Sequence, residues 1–284
     1  MGINRKYKDN HRFIFEQTGG IAKWTGLSDE GIRLYERSGL LYPEKDQQNK
    51  YRSFDAMDLT MLLYGMVYRD SGFSLKQTES LANDCSLEEV HEAYCLKYEE
   101  RLREWEKERW RLERLEEMAA DIEAAKVSLG ECEIVTSPPL YRTEFMYQGQ
   151  IVGDAQKQAI VRTWMKDHLP FAMLSTRYYS DMLGLPREEI RSCSGLGIYA
   201  KYADMLGIEE NEHVKYYPPV RAVHTILSAN NEMLNPDYTK ALRYIEENHL
   251  RVCGDPLSFG IANLYFNKAF ERYYHIWIPV EEDK

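Results

Sequence analysis

Cysteine is scarce: Cys85, Cys95, Cys132, Cys193 and Cys253 are odd in number, far apart and free of any CxxC or CxC pairing. That spacing excludes a disulfide framework and a zinc knuckle. No apolar run approaches the roughly 20 residues of a membrane span, so no membrane partner is expected. The first twenty residues mix charges throughout and hold neither an apolar signal core nor a cleavage site, which points to the cytoplasm. Phosphate loops, HExxH and nucleophile motifs are also missing, and nothing calls for a cofactor or a metal. The expectation is a protein that binds without turning over.

The chain has 284 residues, 44% apolar and 29% charged, enough for two domains and a connector. The net charge of −10 argues against a nonspecific polyanion binder. Charge is uneven, however. Residues 1–52 hold ten Lys and Arg against seven Asp and Glu, and a small cationic end can still meet phosphates. Twenty-one tyrosines supply contact surface with a polar handle, and they are equally ordinary strand residues.

Residues 19–26 and 28–38 read as two short helices around a tight turn, with Ser28 as N-cap and Asp29 and Glu30 in the first turn. The segment from Tyr51 to Phe54 reads as the returning arm of a β-ribbon. Asp55 caps a longer helix, and Ser74 opens another ending near Ala82. Residues 86–129 lack Pro and Gly and carry a seam of Tyr98, Leu102, Trp105 and Leu112 that skips polar Arg109, then resets at Leu112 and continues through Leu115, Ala119 and Ile122. A heptad-like seam predicts a coiled coil with a partner, and a second copy of the chain is the expected one. A solvated single helix held by ion pairs is the alternative. After TSPP at 136–139 come two rounds of strand–helix–strand–strand, an internal duplication read from pattern alone.

The run IAKWTGLSDEGIRLYERSGLLYP, then KYRSFDAMDLTMLLYGMVYRDSGFSL, resembles the DNA-binding region of the MerR family of transcription regulators. Ala22, Gly26, Ile32, Arg33, Tyr35, Glu36, Gly39, Leu40 and Pro43 carry it, with Tyr51, Arg52, Gly72, Phe73, Ser74 and Leu75. Leu34, Lys50 and Gly31 depart from the family pattern, and Gly31 costs about 1 kcal/mol of helix propensity against alanine. The resemblance implies a winged helix-turn-helix that docks on double-stranded promoter DNA, with Lys23, Arg33, Tyr35, Lys50, Tyr51 and Arg52 as DNA contacts and Lys45 as a further phosphate candidate. It also implies RNA polymerase as a partner and promoter distortion as the mechanism.

The C-terminal half, ending YYHIWIPV, resembles the GyrI-like effector-binding domain of multidrug-sensing members. The ligand contacts this resemblance implies are Tyr141, Glu144, Phe145, Tyr147, Trp164, Tyr179, Tyr199, Tyr265, Phe266, Tyr274, His275 and Trp277, around a small hydrophobic or aromatic effector. Such domains often carry an acid four residues before the final-strand proline; His275 stands there, which suits a neutral or anionic aromatic ligand. Plain core is the competing role for each aromatic.

The expected fold class is α+β: an N-terminal extension at 1–17, a winged helix-turn-helix at 18–85, a dimerisation helix at 86–130, a linker at 131–138 and the duplicated domain at 139–284. Two other readings stay open. Cys85 and Cys132 flank the long helix, as in metal-sensing branches of the family, although singletons make a poor soft-metal site. A GyrI-like hydrolase or ligand-sequestering protein would instead use Glu144 with His224 or His275 as an acid–base pair.

Overall fold

The computed structural model describes residue 15 and residues 17–48, 51–230, 235–266 and 269–283, and it divides after Trp105 into two compact units. In the amino-terminal unit, α1 (Thr18–Thr25) ends at Gly26, whose φ of 72° lies in the left-handed region that glycine adopts without strain. Helix α2 (Asp29–Arg37) starts where Ser28 Oγ accepts the Gly31 amide at 3.0 Å. Strands β1 (Glu44–Lys45) and β2 (Arg52–Ser53) pair as an antiparallel wing. Helix α3 (Ala56–Asp70) begins with a reciprocal Asp55–Asp58 cap, and α4 (Leu75–Asn83) with a Ser74–Gln77 cap. Asp58 is buried and also accepts the Tyr42 amide at 3.1 Å, which ties the entry to the wing onto α3.

Ile21, Ile32, Tyr35, Leu40, Leu41, Phe54 and Leu62 form the core of this lobe. Tyr35 packs so closely on α3 that a Cβ at Gly65 would stand 3.1 Å from its Cε1. Only 8% of Tyr35 is exposed, so its ring is part of the core of this lobe.

Helix α5 (Leu87–Val127) opens on Ser86, whose hydroxyl accepts the Glu89 amide while Glu89 accepts the Ser86 amide. Within the carboxy-terminal unit α5 shows two faces. Leu112, Leu115 and Ile122 are exposed. Trp110, Arg114 and Ala125 instead pack inward, with Trp110 edge-on to Tyr202 and Ala125 against Ile226 and Ile261.

The rest of that unit runs β3 (Cys132–Thr136), β4 (Leu140–Tyr147), β5 (Gln150–Ile151), α6 (Ala155–Asp167), β6 (Met173–Tyr178), β7 (Ser192–Tyr199), α7 (Ala203–Leu206), β8 (Lys215–Tyr217), β9 (Arg221–Asn230), α8 (Thr239–Glu247), β10 (Leu250–Val252), β11 (Leu257–Phe266) and β12 (Ala269–Glu282). One sheet has the order β3-β9-β12-β11-β6-β7-β4-β5, with β10 beside β12 and β8 beside β4. Outward from the β6–β11 junction, each round places its second strand innermost, then its third, then its first: β6-β7-β4 on one side, β11-β12-β9 on the other. Helices α6 and α8 follow the first strand in both. The duplicated pattern is therefore present as topology, and the fold is α+β with an N-terminal helix-turn-helix, a long helix and a strand-rich sheet domain.

Two expected boundaries change. The 131–138 segment is not a linker: Cys132–Thr136 pairs with β9 in antiparallel register, Cys132 opposite Thr225 through Thr136 opposite Arg221. The carboxy-terminal unit also takes in α5 from Glu106 onward, well before residue 139. Among the described residues, no helix is long and apolar enough to cross a membrane.

Candidate nucleic-acid interface and ligand cavity

On α2 the apolar residues Ile32 and Tyr35 turn inward, which leaves Arg33 exposed with no hydrogen bond or ion pair among the described residues. Lys23 is exposed in the last turn of α1. The wing is held to α2 through one carboxylate: Arg52 Nε donates to Glu36 Oε2 at 2.7 Å, and Lys45 Nζ lies 2.6 Å from Oε1. Burial pushes the Glu36 carboxyl up, but these two cations more than offset it and keep it below its ordinary value. Tyr51 is 54% exposed. The lobe thus presents Lys23, Arg33 and Tyr51 outward, with Arg52 half-buried between wing and helix. Lys50 lies outside the described residues, as does the side chain of Phe266.

In the carboxy-terminal unit a cavity of about 480 Å³ is lined by α5, β3 and the loop after it, the end of β7, and strands β9 and β12. From the expected ligand contacts it brings together Tyr199, His275 and Trp277. The remaining candidates fall elsewhere. Trp164 and Tyr274 are 3% exposed and belong to separate cores, because α6 and β12 each turn their large rings against the sheet domain's interior. Phe145 and Tyr141 pack at the edge of the Trp164 core, Tyr141 also against Tyr216 at 5.0 Å. Tyr147 lies at the end of β4 opposite Gln150 and Cys193, Tyr179 sits under the Arg177 guanidinium, and Tyr265 is 72% exposed.

Glu144 faces cations instead of a histidine. Arg142, fully buried, donates Nη1 to Glu144 Oε1 at 2.8 Å, and Arg177 holds both Glu144 oxygens and Asp255. Burial raises the Glu144 carboxyl, but the Arg177 hydrogen bonds and the two guanidinium charges bring it down to about 2. The acid–base pairing of Glu144 with a histidine is therefore replaced by an ion cluster.

The histidines hold each other. His224 Nε2 lies 2.9 Å from His275 Nδ1, His224 Nδ1 lies 3.0 Å from Glu133, and His275 Nε2 lies 3.1 Å from Asp121. With both carboxylates ionised, three contacts through two rings need three N–H protons, so all are hydrogen bonds only when the pair carries one positive charge. Burial pushes His224 below its ordinary value, against the opposing pull of Glu133. Trp277 stacks on both, 5.6 Å from His224 and 5.5 Å from His275.

Helix α5 supplies three lining residues that the sequence pattern does not single out: Arg114, Glu117 and Asp121, spaced by 3 and 4 on one helical face. Arg114 is 1% exposed and donates Nη1 to Glu117 at 2.9 Å. Glu117 also accepts from Lys201 and from the Tyr202 hydroxyl. Burial works against its charge, yet these donors hold its carboxyl below the ordinary range. The Tyr202 phenol is pushed up to about 12 by burial and by Glu117. The signal for this face was the Trp110–Arg114–Glu117–Asp121–Ala125 spacing, a second stripe beside the apolar seam. Among the described residues, no group of three or more His, Cys, Asp or Glu could hold a metal ion.

Residues 17–84 match the family model described as MerR HTH family regulatory protein. The HTH-type transcriptional regulator CueR of Escherichia coli O6:H1 is 36% identical over 63 residues, 22% of this chain and 47% of that protein. CueR of Vibrio cholerae serotype O1 is 39% identical over 67 residues, 22% of this chain and 48% of that one. The chain thus spans about half the length of the curated relatives it matches. Among solved structures, the EcmrR–DNA complex seen by cryo-EM in EcmrR-RPo is 16% identical over 94% of this chain and 99% of that chain, with a TM-score of 0.34. The family match ends at residue 84 and does not reach the cavity.

Proposed function

We propose that this protein is a homodimeric, cytoplasmic transcription regulator of the MerR type that binds double-stranded promoter DNA and responds to a small aromatic effector without turning it over. The observation that carries the reading is the family match over the whole α1–α2–wing–α3–α4 lobe, in which α2 leaves Arg33 exposed and outside any ion pair among the described residues. The DNA contacts would be Lys23, Arg33, Tyr51 and Arg52, with Lys50 a further candidate from the sequence. Backbone contacts from the wing fix register, and α2 reads the major groove.

Dimerisation would use the seam of Tyr98, Leu102, Trp105, Leu112, Leu115 and Ile122, six large apolar side chains left exposed on the single chain. The carboxy-terminal unit would act as a GyrI-like effector domain of the multidrug-sensing kind; its two rounds of identical strand order support this. Effector binding would favour the state in which paired lobes distort the promoter for RNA polymerase, and it does so only by binding that state more tightly. The relay of Glu133, His224, His275 and Asp121 beside the cavity favours one alternative, a GyrI-like hydrolase or sequestering protein with a vestigial DNA-binding lobe.

Selection from a random duplex pool tests the first reading. The full chain should enrich a pseudo-palindromic sequence at physiological salt and shift it in a gel. No enrichment, combined with product formation from effector-like esters or amides, would favour the enzyme.

A further inference from the structure

The hydrogen-bonding inventory of the α5-lined cavity is lopsided. Its acceptors are engaged: Glu117 receives Arg114, Lys201 and Tyr202, while Asp121 faces His275 Nε2 at 3.1 Å and Arg114 Nη1 at 3.8 Å. Its donors are not. Arg114 Nε and Nη2 are buried and have no hydrogen-bond partner among the described residues. These two nitrogens form one edge of the guanidinium, the side-on fork whose spacing matches the two oxygens of a carboxylate. A charged donor kept out of water without an acceptor is unfavourable, and an incoming anion removes that cost.

The walls around this fork are flat. Trp277, His224 and His275 stack within 31° of one another, and Tyr199 stacks on Phe259 at 4.3 Å, with the Arg114 guanidinium 5.5 Å from both rings of that second pair. The volume of about 480 Å³ lies in the range that small-molecule sites occupy.

The geometry points to an aromatic carboxylate as the effector, its ring laid against Trp277 and Tyr199 and its two oxygens taken by the Nε–Nη2 edge of Arg114. This rests on the reading of the cavity as a ligand site and names its chemical class. Arg114 and Asp121 sit on α5, so such a ligand would exchange hydrogen bonds on the same helix that carries the dimer seam on its other face.

Calorimetric titration of the full chain with 1-naphthoate, its uncharged isostere 1-naphthamide and the cation tetraphenylphosphonium tests the class. Naphthoate should bind at least tenfold more tightly than naphthamide, and Arg114→Lys, which keeps the charge but loses the fork, should erase most of that preference. Ala200→Trp, which fills the cavity and leaves Arg114 in place, should abolish binding of both, and it serves if the Arg114 variant fails to fold. Equal affinity for acid and amide, or binding of the cation alone, would overturn the carboxylate while leaving the ligand site standing. If none of the three binds, the ligand reading of the cavity falls with it.

Discussion

His275 Nε2 stands 3.1 Å from Asp121 Oδ1, so the final strand of the sheet and the long helix meet through a buried polar contact. The contact continues to His224 and Glu133, and Arg114 approaches the same aspartate from the other side. Asp121→Ala should therefore cost about 1–3 kcal/mol, the usual penalty for leaving a buried donor without its acceptor. A double-mutant cycle with His275→Ala in chemical denaturation should return a coupling of about 0.5–3 kcal/mol. Strict additivity would mean that the two side chains merely lie close.

The Glu144 cluster makes a prediction in acid. Its carboxyl sits at about 2 in the fold against 4.5 ordinarily, because Arg177 and Arg142 outweigh the burial that would raise it. A carboxyl lowered by folding stabilises the native state above its unfolded value, and that contribution fades as pH falls from about 4.5 towards 2. The contribution is of order 3 kcal/mol, from about 1.4 kcal/mol per pH unit. Glu144→Gln should be less stable at pH 7, leaving buried Arg142 poorly compensated, and should lose less on acidification. Parallel stability curves for the two proteins across this range would rule out the cluster as the source.

Much of this architecture is legible from local chemistry. Ser28, Asp55 and Ser74 announce helix starts because a side-chain oxygen satisfies an amide that the helix cannot. Composition rich in β-branched and aromatic residues marks β4, β6, β9, β11 and β12 as strands. Strand β3 is different: Cys132–Thr136 becomes a strand by pairing with β9, a long-range partner that the local pattern does not name. The cavity was half legible. Tyr199, His275 and Trp277 lie on strands whose alternation hints at an inward face. Arg114, Glu117 and Asp121 look like the solvated side of a charged helix, and only the sheet packed against them makes them a lining. Trp164 and Tyr274 show the converse, since a buried ring reads the same from sequence whether it meets a ligand or a core.

The proposed dimer seam yields a test of mass. Leu102 and Leu112 are 40% and 60% exposed on the single chain, and burying the remainder against a partner gains about 1 kcal/mol each, a share of the roughly 1.5–3 kcal/mol of a fully exposed Leu. Leu102→Glu with Leu112→Glu would place carboxylates in that interface instead. Sedimentation should give twice the 33.4 kDa chain mass for the unaltered protein and a single chain for the double variant. A dimer that survives both charges would move the interface off this stripe.

Arg33 and Arg52 should separate into two kinds of contact. Arg33 makes no hydrogen bond or ion pair among the described residues, so Arg33→Ala removes nothing that the fold uses and should leave thermal stability within about 0.5 kcal/mol. If it reaches a base edge, affinity for the selected operator should fall by about 1–3 kcal/mol and discrimination at one position should relax. Arg52, a proposed DNA contact, also pairs with Glu36, which holds Lys45 as well. Arg52→Ala should thus cost a few tenths to about 1 kcal/mol of stability through the lost ion pair, and should weaken binding across all sequences with a salt slope reduced by about 1. Mobility shifts at several salt concentrations, run beside melting curves, read both. An Arg33→Ala protein that binds as before would take α2 out of the major groove, since no other exposed cation on that helix is free of an ion pair: Arg37 is held by Glu30 at 2.6 Å.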